Sequence, residues 1–195
     1  MVLEIIKYGN PILRKPGEKI EQITPEIRRL VGDMFETMAA NHGVGLAAQQ
    51  VGYALQLMVI DVRDVKDRPS TMEIDGKLVA PEKFMPIALI NPQITPLGEP
   101  ETGPEGCLSF PEIYADITRP SKISVTAINQ DEKTVHFICG GLLARAIQHE
   151  LDHLKGILFI DRMDAETLEE LQPDIEKIKK ETLSKLNNKK LTRTR

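Results

Sequence analysis

Three stretches of this chain carry apolar residues at helical spacing, and the stretches between them alternate or run apolar over strand lengths. Ile27, Leu30, Val31, Met34, Phe35 and Met38 follow a 3.6-residue period. Thr24-Pro25 supplies an N-cap and a proline at the first helical position. The spacing therefore predicts an amphipathic helix over residues 25–41, with Gly43 near its end. Leu142, Leu143, Ala146, Ile147 and Leu154 predict a second helix, between Gly140-Gly141 and a stop at Gly156. From Asp164 or Thr167 onward, Leu168, Leu171, Ile175, Ile178 and Leu186 predict a third.

The intervening pattern is that of short strands. Residues 121–128 and 134–139 alternate around Asn129-Gln130-Asp131-Glu132, a hairpin. Residues 55–62 and 87–90 read as strands. Asn91-Pro92 ends the latter, and Ile94 begins another extended piece. Residues 2–6 read as an edge strand and residues 157–160 as a last strand. Residues 63–86 are polar and proline-bearing, so they read as a surface excursion with a small hairpin at Asp75-Gly76. Residues 99–104 read as turns.

Composition narrows the class. At 195 residues, with 41% hydrophobic and 28% charged residues, the chain suits one soluble globular domain with a C-terminal extension. Aromatic residues make up only 4% and there is no Trp, so the core is expected to be aliphatic. The net charge of −4 shows no overall bias towards nucleic acid, but it is unevenly placed. Residues 174–195 hold eight Lys or Arg against three acidic residues, which makes an acidic body with a basic tail. No basic-then-apolar leader opens the chain and no apolar run approaches a membrane span. A cytoplasmic setting is therefore expected, with Cys107 and Cys139 as free thiols.

The candidate chemistry sits in the second helix. Gln148-His149-Glu150-Leu151-Asp152-His153 contains a His-Glu-x-x-His pentad. Residues i and i+4 share a helix face, so His149 and His153 can aim at one metal ion. Glu150 lies about 100° round the helix, where it can reach a water without ligating. A catalytic metal site needs a third protein ligand and an open position. Neither His nor Cys follows His153, so the downstream ligand of the common HExxH endopeptidases is missing. Upstream candidates are His42, Cys107, His136 and Cys139. His136 falls mid-strand in a polar hairpin and Cys139 beside the helix start, so Cys107, flanked by Gly106, is the best of the four. Gly43 and Gly45 open a loop able to show its backbone to a ligand, although a tight turn after a helix explains them as well.

Three blocks then occur in order: Gly43-Val44-Gly45-Leu46-Ala47-Ala48-Gln49-Gln50, Glu105-Gly106-Cys107-Leu108-Ser109 and Gln148-His149-Glu150-Leu151-Asp152-His153. Together they resemble the motifs of the peptide deformylase family, and the resemblance spans about residues 1–165. The resemblance implies one divalent metal on Cys107, His149 and His153. The family's physiological metal is Fe²⁺, with Zn²⁺, Ni²⁺ or Co²⁺ able to replace it. It implies Glu150 as the general base and acid, and an oxyanion received by the Gln50 amide and the Leu108 N–H. It places Val44, Leu142, Arg145 through its stem, Ala146 and the His149 ring around a methionine pocket. Val44, Gly45 and Gly106 border the peptide, which is gripped by strand addition. Glu105 and Gln148 become candidates for orienting the ligands. Pro104 and Tyr114 depart from what many relatives carry, which leaves peptide preference beyond methionine open.

The reading is thus an α+β catalytic domain over residues 1–165, with a basic helical extension over residues 166–195. Antiparallel sheets wrap a central HExxH helix, an N-terminal helix packs outside, and a C-terminal helix is appended. The expected function is removal of the formyl group from formylmethionyl peptides and nascent chains, with release of formate. The basic tail suggests docking on the ribosome. Two rivals remain at this stage: a zinc endopeptidase, which lacks its downstream ligand, and a binding module with a structural zinc, which needs a fourth ligand such as Cys139 or His42.

Overall fold

The structure, a computed structural model, describes residues 1–193, with side chains through residue 188. Nine strands and three α-helices are described. The strands are β1 (Gly45–Ala47), β2 (Leu57–Ile60), β3 (Ser70–Ile74), β4 (Lys77–Val79), β5 (Ile87–Pro96), β6 (Pro100–Cys107), β7 (Phe110–Pro120), β8 (Lys122–Ile128) and β9 (Thr134–Gly140). The helices are α1 (Pro25–Ala40), α2 (Gly141–Leu154) and α3 (Ala165–Arg193). Seven strands form one antiparallel sheet in the order β1-β2-β5-β8-β9-β3-β4, and β6-β7 form a separate two-stranded ribbon. This is the expected α+β class.

The two helical periods settle which faces of the large sheet are covered. Leu30, Val31, Met34 and Met38 of α1 pack with Leu57, Val59, Ala88 and Ile90. On the opposite face, Leu142, Leu143, Ala146, Ile147 and Leu151 of α2 pack with Met58, Ile60, Leu89, Val125 and Phe137. Adjacent residues of β2 therefore belong to different cores, as the two-residue period of a strand requires. This explains why residues 57–60 form an unbroken apolar run. A third cluster joins Leu13, Phe110, Ile113, Ile117 and Phe159 to Ile175 of α3, with Leu168, Leu171 and Ile178 alongside.

The ends of the helices match their local chemistry. Thr24 caps α1 by accepting the Ile27 N–H at 3.4 Å, with Pro25 at the first position. Asp164 accepts the Thr167 N–H at 2.8 Å at the start of α3. Gly156 stops α2 at φ +72°, and a Cβ there would lie 2.4 Å from the Arg14 carbonyl oxygen. The start of α2 has no side-chain cap of its own. Instead the Leu142 N–H donates to the Pro69 carbonyl at 3.2 Å and the Leu143 N–H to the Ser70 hydroxyl at 3.0 Å.

Several sequence expectations are corrected here. Residues 63–86 do turn at Asp75-Gly76, but the hairpin joins the main sheet through β3–β9 pairing and caps α2, so it is no mere surface excursion. Asn91-Pro92 bulges β5 without ending it, with a register shift between Ile90 and Gln93. A bulge accommodates a residue that has no N–H to offer the ladder. The Asn91 side chain then bonds both backbone groups of Ile20, at 2.9 and 2.8 Å. Residues 157–160 are no strand, because Phe159–Arg162 form a 3-10 turn. Residues 2–6 lie in no strand either. Residues 100–104 are strand rather than turns.

Candidate active site

The β6–β7 ribbon brings one edge of the site to α2. Its register runs regularly to Gly106 opposite Tyr114, shifts, and closes with Cys107 opposite Phe110 around the two-residue turn Leu108-Ser109. That shift re-aims Cys107 towards the helix. Cys107 Sγ lies 3.3 Å from His153 Nε2. Ligand atoms of Cys107, His149 and His153 all lie within 4.8 Å of one another. A tetrahedral ion bound at about 2.3 Å to sulfur and about 2.0–2.1 Å to nitrogen separates those donors by about 3.5 Å, so the cluster has the size of a single-ion site. His149 and His153 are buried, and Phe159 lies against the His149 ring at a centroid distance of 5.9 Å.

Donor orientation also suits a metal. His149 Nδ1 donates to Glu105 Oε2 at 3.0 Å, which leaves Nε2 as the nitrogen that would ligate; burial lowers the pKa of this ring, but its bonds to Cys107 and Glu105 outweigh burial and raise it. Burial holds the His153 pKa well below its ordinary value, so that ring is the neutral, ligating form. His153 Nδ1 has no hydrogen-bond partner among the described residues. Burial alone would raise the Glu105 carboxyl. The His149 hydrogen bond and the Arg119 guanidinium outweigh it and bring the pKa down to about 2. Glu105 is thus a fixed anion beside the donor cluster.

Arg119 is the hub behind that anion. It bonds Glu105 with Nε and Nη2 at 2.6 and 3.0 Å, and it reaches Asp152 Oδ2 with Nη1 at 2.8 Å. Arg145 adds a bond to Glu105 at 2.9 Å, and Arg162 bonds Asp152 Oδ1 at 2.8 Å. Sequence reading missed Arg119. Its signal was the alternation Ile113, Ala115, Ile117, Arg119 along β7, which sets an arginine in the buried series. Gln148, proposed beside Glu105 as an orienting residue, instead donates to the Pro120 and Ala144 carbonyls at 2.9 and 3.0 Å.

Opposite the ribbon stand β1 and the 3-10 turn Ala48–Val51. Gln50 Oε1 accepts the Ala47 N–H at 2.8 Å, which fixes the flip of the side-chain amide. Its Nε2 then points at Cys107 Sγ and Ser109 Oγ, at 3.5 and 3.4 Å. The hydroxyl contact is long and sulfur is a weak acceptor, so both can be exchanged for a better one. Glu150 is buried, and its Oε2 has no partner among the described residues. Burial pushes its pKa up to about 7 against the pull of His149, a range suited to taking and returning a proton. Gly45 is required there, since a Cβ on it would lie 2.5 Å from Glu150 Oε1.

These groups line one cleft of about 540 Å³. Val44, Gly45, Gln50, Gly106, Cys107, Leu108, Leu142, Arg145, Ala146, His149 and Glu150, singled out from the sequence, all border it. His153, behind Cys107, is 1% exposed. Arg145 turns its guanidinium to the Glu101, Gly103 and Ile117 carbonyls, so only its stem is free to face the cleft. His42, His136 and Cys139, the other ligand candidates, lie outside the cluster. Cys139 is core, and burial pushes its thiol up to about 12. Among the described residues no fourth His, Cys or carboxylate joins the three, so the structural-zinc alternative lacks its closing ligand. Lys7 and Arg68 also line the cleft, and neither was picked out from the sequence.

A Cys-His-His donor set, its two histidines buried on a His-Glu-x-x-His helix, with a glutamate carboxyl bordering the same cleft, defines a hydrolase of the metal-dependent class. The polypeptide deformylase family model matches residues 2–169. The chain is 46% identical over 180 residues to the peptide deformylase of Methylacidiphilum infernorum, covering 92% of this chain and 94% of that one. Against the Opitutus terrae enzyme it is 44% identical over 193 residues, covering 96% and 99%. Among solved structures, the Ehrlichia chaffeensis peptide deformylase superposes with a TM-score of 0.78 at 35% identity, covering 95% and 99% of the two chains. The Synechococcus elongatus enzyme in complex with actinonin gives a TM-score of 0.75 at 36% identity, covering 88% and 85%. This chain belongs to the polypeptide deformylase family.

Proposed function

We propose the roles by which this member of the family removes the N-formyl group from the formylmethionine of nascent polypeptides and releases formate. Cys107, His149 and His153 would hold one divalent metal, for which Fe²⁺ is the native choice and Zn²⁺, Ni²⁺ or Co²⁺ are workable substitutes. When bound, such an ion supplies Lewis-acid chemistry, acidifying a water and drawing charge from a carbonyl oxygen. The methionine side chain enters the apolar part of the cleft, between Val44, Leu142, the Arg145 stem, Ala146 and the His149 ring. The backbone of Val44, Gly45 and Gly106 grips the peptide as an added strand.

Glu150 takes the proton of the attacking water as a new bond forms to the formyl carbon. The oxyanion that develops on the formyl oxygen is received by the Gln50 amide and the Leu108 N–H. Glu150 then returns its proton to the departing amine as the C–N bond breaks. Preorganised donors of this kind are typically worth about 2.7–4 kcal/mol each in the barrier. The observation that carries this reading is the buried Glu150 carboxyl, its Oε2 without a partner among the described residues, bordering one cleft with Cys107, His149 and the Gln50 amide, while His153 completes the three-donor cluster.

The site operates in the cytoplasm. No helix among the described residues is long and apolar enough to cross a membrane. The decisive experiment measures formate released from formyl-Met-Ala, with metal content assayed on the same sample, for wild type and Glu150→Ala. The variant is expected to keep its metal and lose most turnover. Full activity in Glu150→Ala would remove Glu150 as the base, and no formate from iron- or nickel-loaded wild type would overturn the whole reading.

A further inference from the structure

Residues 6–8 form no strand, yet they bridge the two halves of the oxyanion site. The Ile6 N–H donates to the Gln50 carbonyl at 2.8 Å, and the Tyr8 N–H donates to the Ser109 carbonyl at 3.0 Å. Between them, Lys7 Nζ donates to the Leu108 carbonyl at 2.6 Å. Three successive residues therefore hold the turn that carries Gln50 and the turn that carries Leu108. Those turns bear the two donors to which the mechanism above assigns the oxyanion, and the inference rests on that assignment.

The Lys7 ammonium is in an unusual setting. It borders the active cleft, it is half-buried, and no carboxylate pairs with it among the described residues. A cation drawn out of water without an anion is costly unless a hydrogen bond compensates. Burial lowers its pKa, Cys107 pulls the other way, and Lys185 on α3 lowers it again. The Leu108 carbonyl is the acceptor that offsets this placement. Tyr8 stacks on Phe110 at a centroid distance of 4.7 Å, so the backbone on one side of Lys7 is itself anchored.

The turn explains what the contact can do. Cys107 and Phe110 close its two ends, and between them the Leu108 N–H, on the Cys107-Leu108 peptide, is joined through the Leu108 φ and ψ to the carbonyl on the Leu108-Ser109 peptide. Lys7 pins that peptide at one oxygen and Tyr8 pins the next. Among the described residues no acceptor takes the Leu108 N–H. We propose that Lys7 is a positioning residue for deformylation, holding the Leu108-Ser109 turn by its carbonyl against the Gln50 turn, so that the Leu108 N–H keeps its place beside the developing oxyanion. Because a misdirected donor fails in the transition state more than in the bound substrate, the effect belongs in kcat.

The test compares zinc-loaded wild type, Lys7→Met, Lys7→Arg and Gln50→Ala on formyl-Met-Ala, together with metal content and the ¹H–¹⁵N signal of the Leu108 amide. Lys7→Met is expected to keep its zinc, lose about ten- to a hundredfold in kcat with KM within about twofold, and shift the Leu108 amide signal. Lys7→Arg, which can still donate to the carbonyl, is expected to recover most of the loss and return the signal towards its original position. An unchanged kcat in Lys7→Met, or a loss matched by a rise in KM or by loss of zinc, overturns the proposal. If Gln50→Ala is slowed while Lys7→Met is not, Lys7 alone is refuted. If neither is slowed in an active wild type, the oxyanion assignment fails and the inference fails with it.

Discussion

Gly45 and Glu150 show how single residues set the chemistry. The Glu150 carboxylate occupies the space where any other residue at 45 would put its Cβ. Gly45→Ala is therefore expected to displace Glu150 while leaving the three donors intact. Turnover should fall at least tenfold with zinc still bound one per chain, and a variant with normal turnover would show that Glu150 can work from elsewhere. This requirement was invisible in the sequence, where Gly43 and Gly45 read more readily as a tight turn. Only the approach of α2 to β1 distinguishes the two glycines. His149 and His153 were legible because four residues on a helix make one face, whatever the helix packs against. Cys107 emerged only by elimination, since nothing local states that a ribbon turn meets a helix so far along the chain.

At the scale of elements, the ribbon and α2 are locked by buried charge. Glu105 lies on β6, Arg119 on β7 and Asp152 on α2, and all three are almost fully buried. Arg119→Met would leave two buried carboxylates short of their main partner, a change typically costing about 3–5 kcal/mol. Denaturant unfolding should report a loss of that order, and a loss below about 1 kcal/mol would mean that Arg145 and Arg162 suffice. A second link, more exposed, joins Arg14 to Asp161 across two 3-10 turns, with the Leu158 N–H also donating to Asp161 at 2.8 Å. Burial raises the Asp161 pKa, but the Arg14 and Leu158 bonds outweigh it and leave it below its usual 3.8. Its stabilising contribution is thus present above pH 3.8 and lost as pH falls through the depressed value. Asp161→Asn should lower the unfolding temperature slightly at pH 7, and the gap from wild type should close at pH values below the depressed pKa. A gap that persisted there would show that the charge is not its source. The ribbon was the least legible element. Pro100, Gly103 and Pro104 read as turns, and they are tolerated in β6 because the ribbon has only two strands, each with no strand on its other edge.

For the whole molecule, the open question is the basic end of α3. Ile175 is buried, and Leu168, Leu171 and Ile178 pack beside it, so the first half of the helix belongs to the body. Lys177, Lys180 and Lys185 are exposed as expected, and Lys179 pairs with Glu176 at 3.1 Å. Lys189, Lys190, Arg193 and Arg195, expected to face solvent, have side chains outside the described residues. Deleting residues 187–195 spares every α3 residue described as packed on the body and removes those four cations. We expect unchanged turnover of formyl-Met-Ala and weakened, salt-sensitive co-sedimentation with ribosomes, and co-sedimentation equal to wild type would discard the docking role. The HExxH pentad, the helix periods and the apolar strand runs were determined by sequence alone, because each depends on neighbours within one or two turns. The third donor, the Arg119 hub, the need for glycine at 45 and the Lys7 bridge were decided only by tertiary structure. Each depends on a distance between segments tens of residues apart, and such distances are set by how the sheet, ribbon and helices bury their faces together.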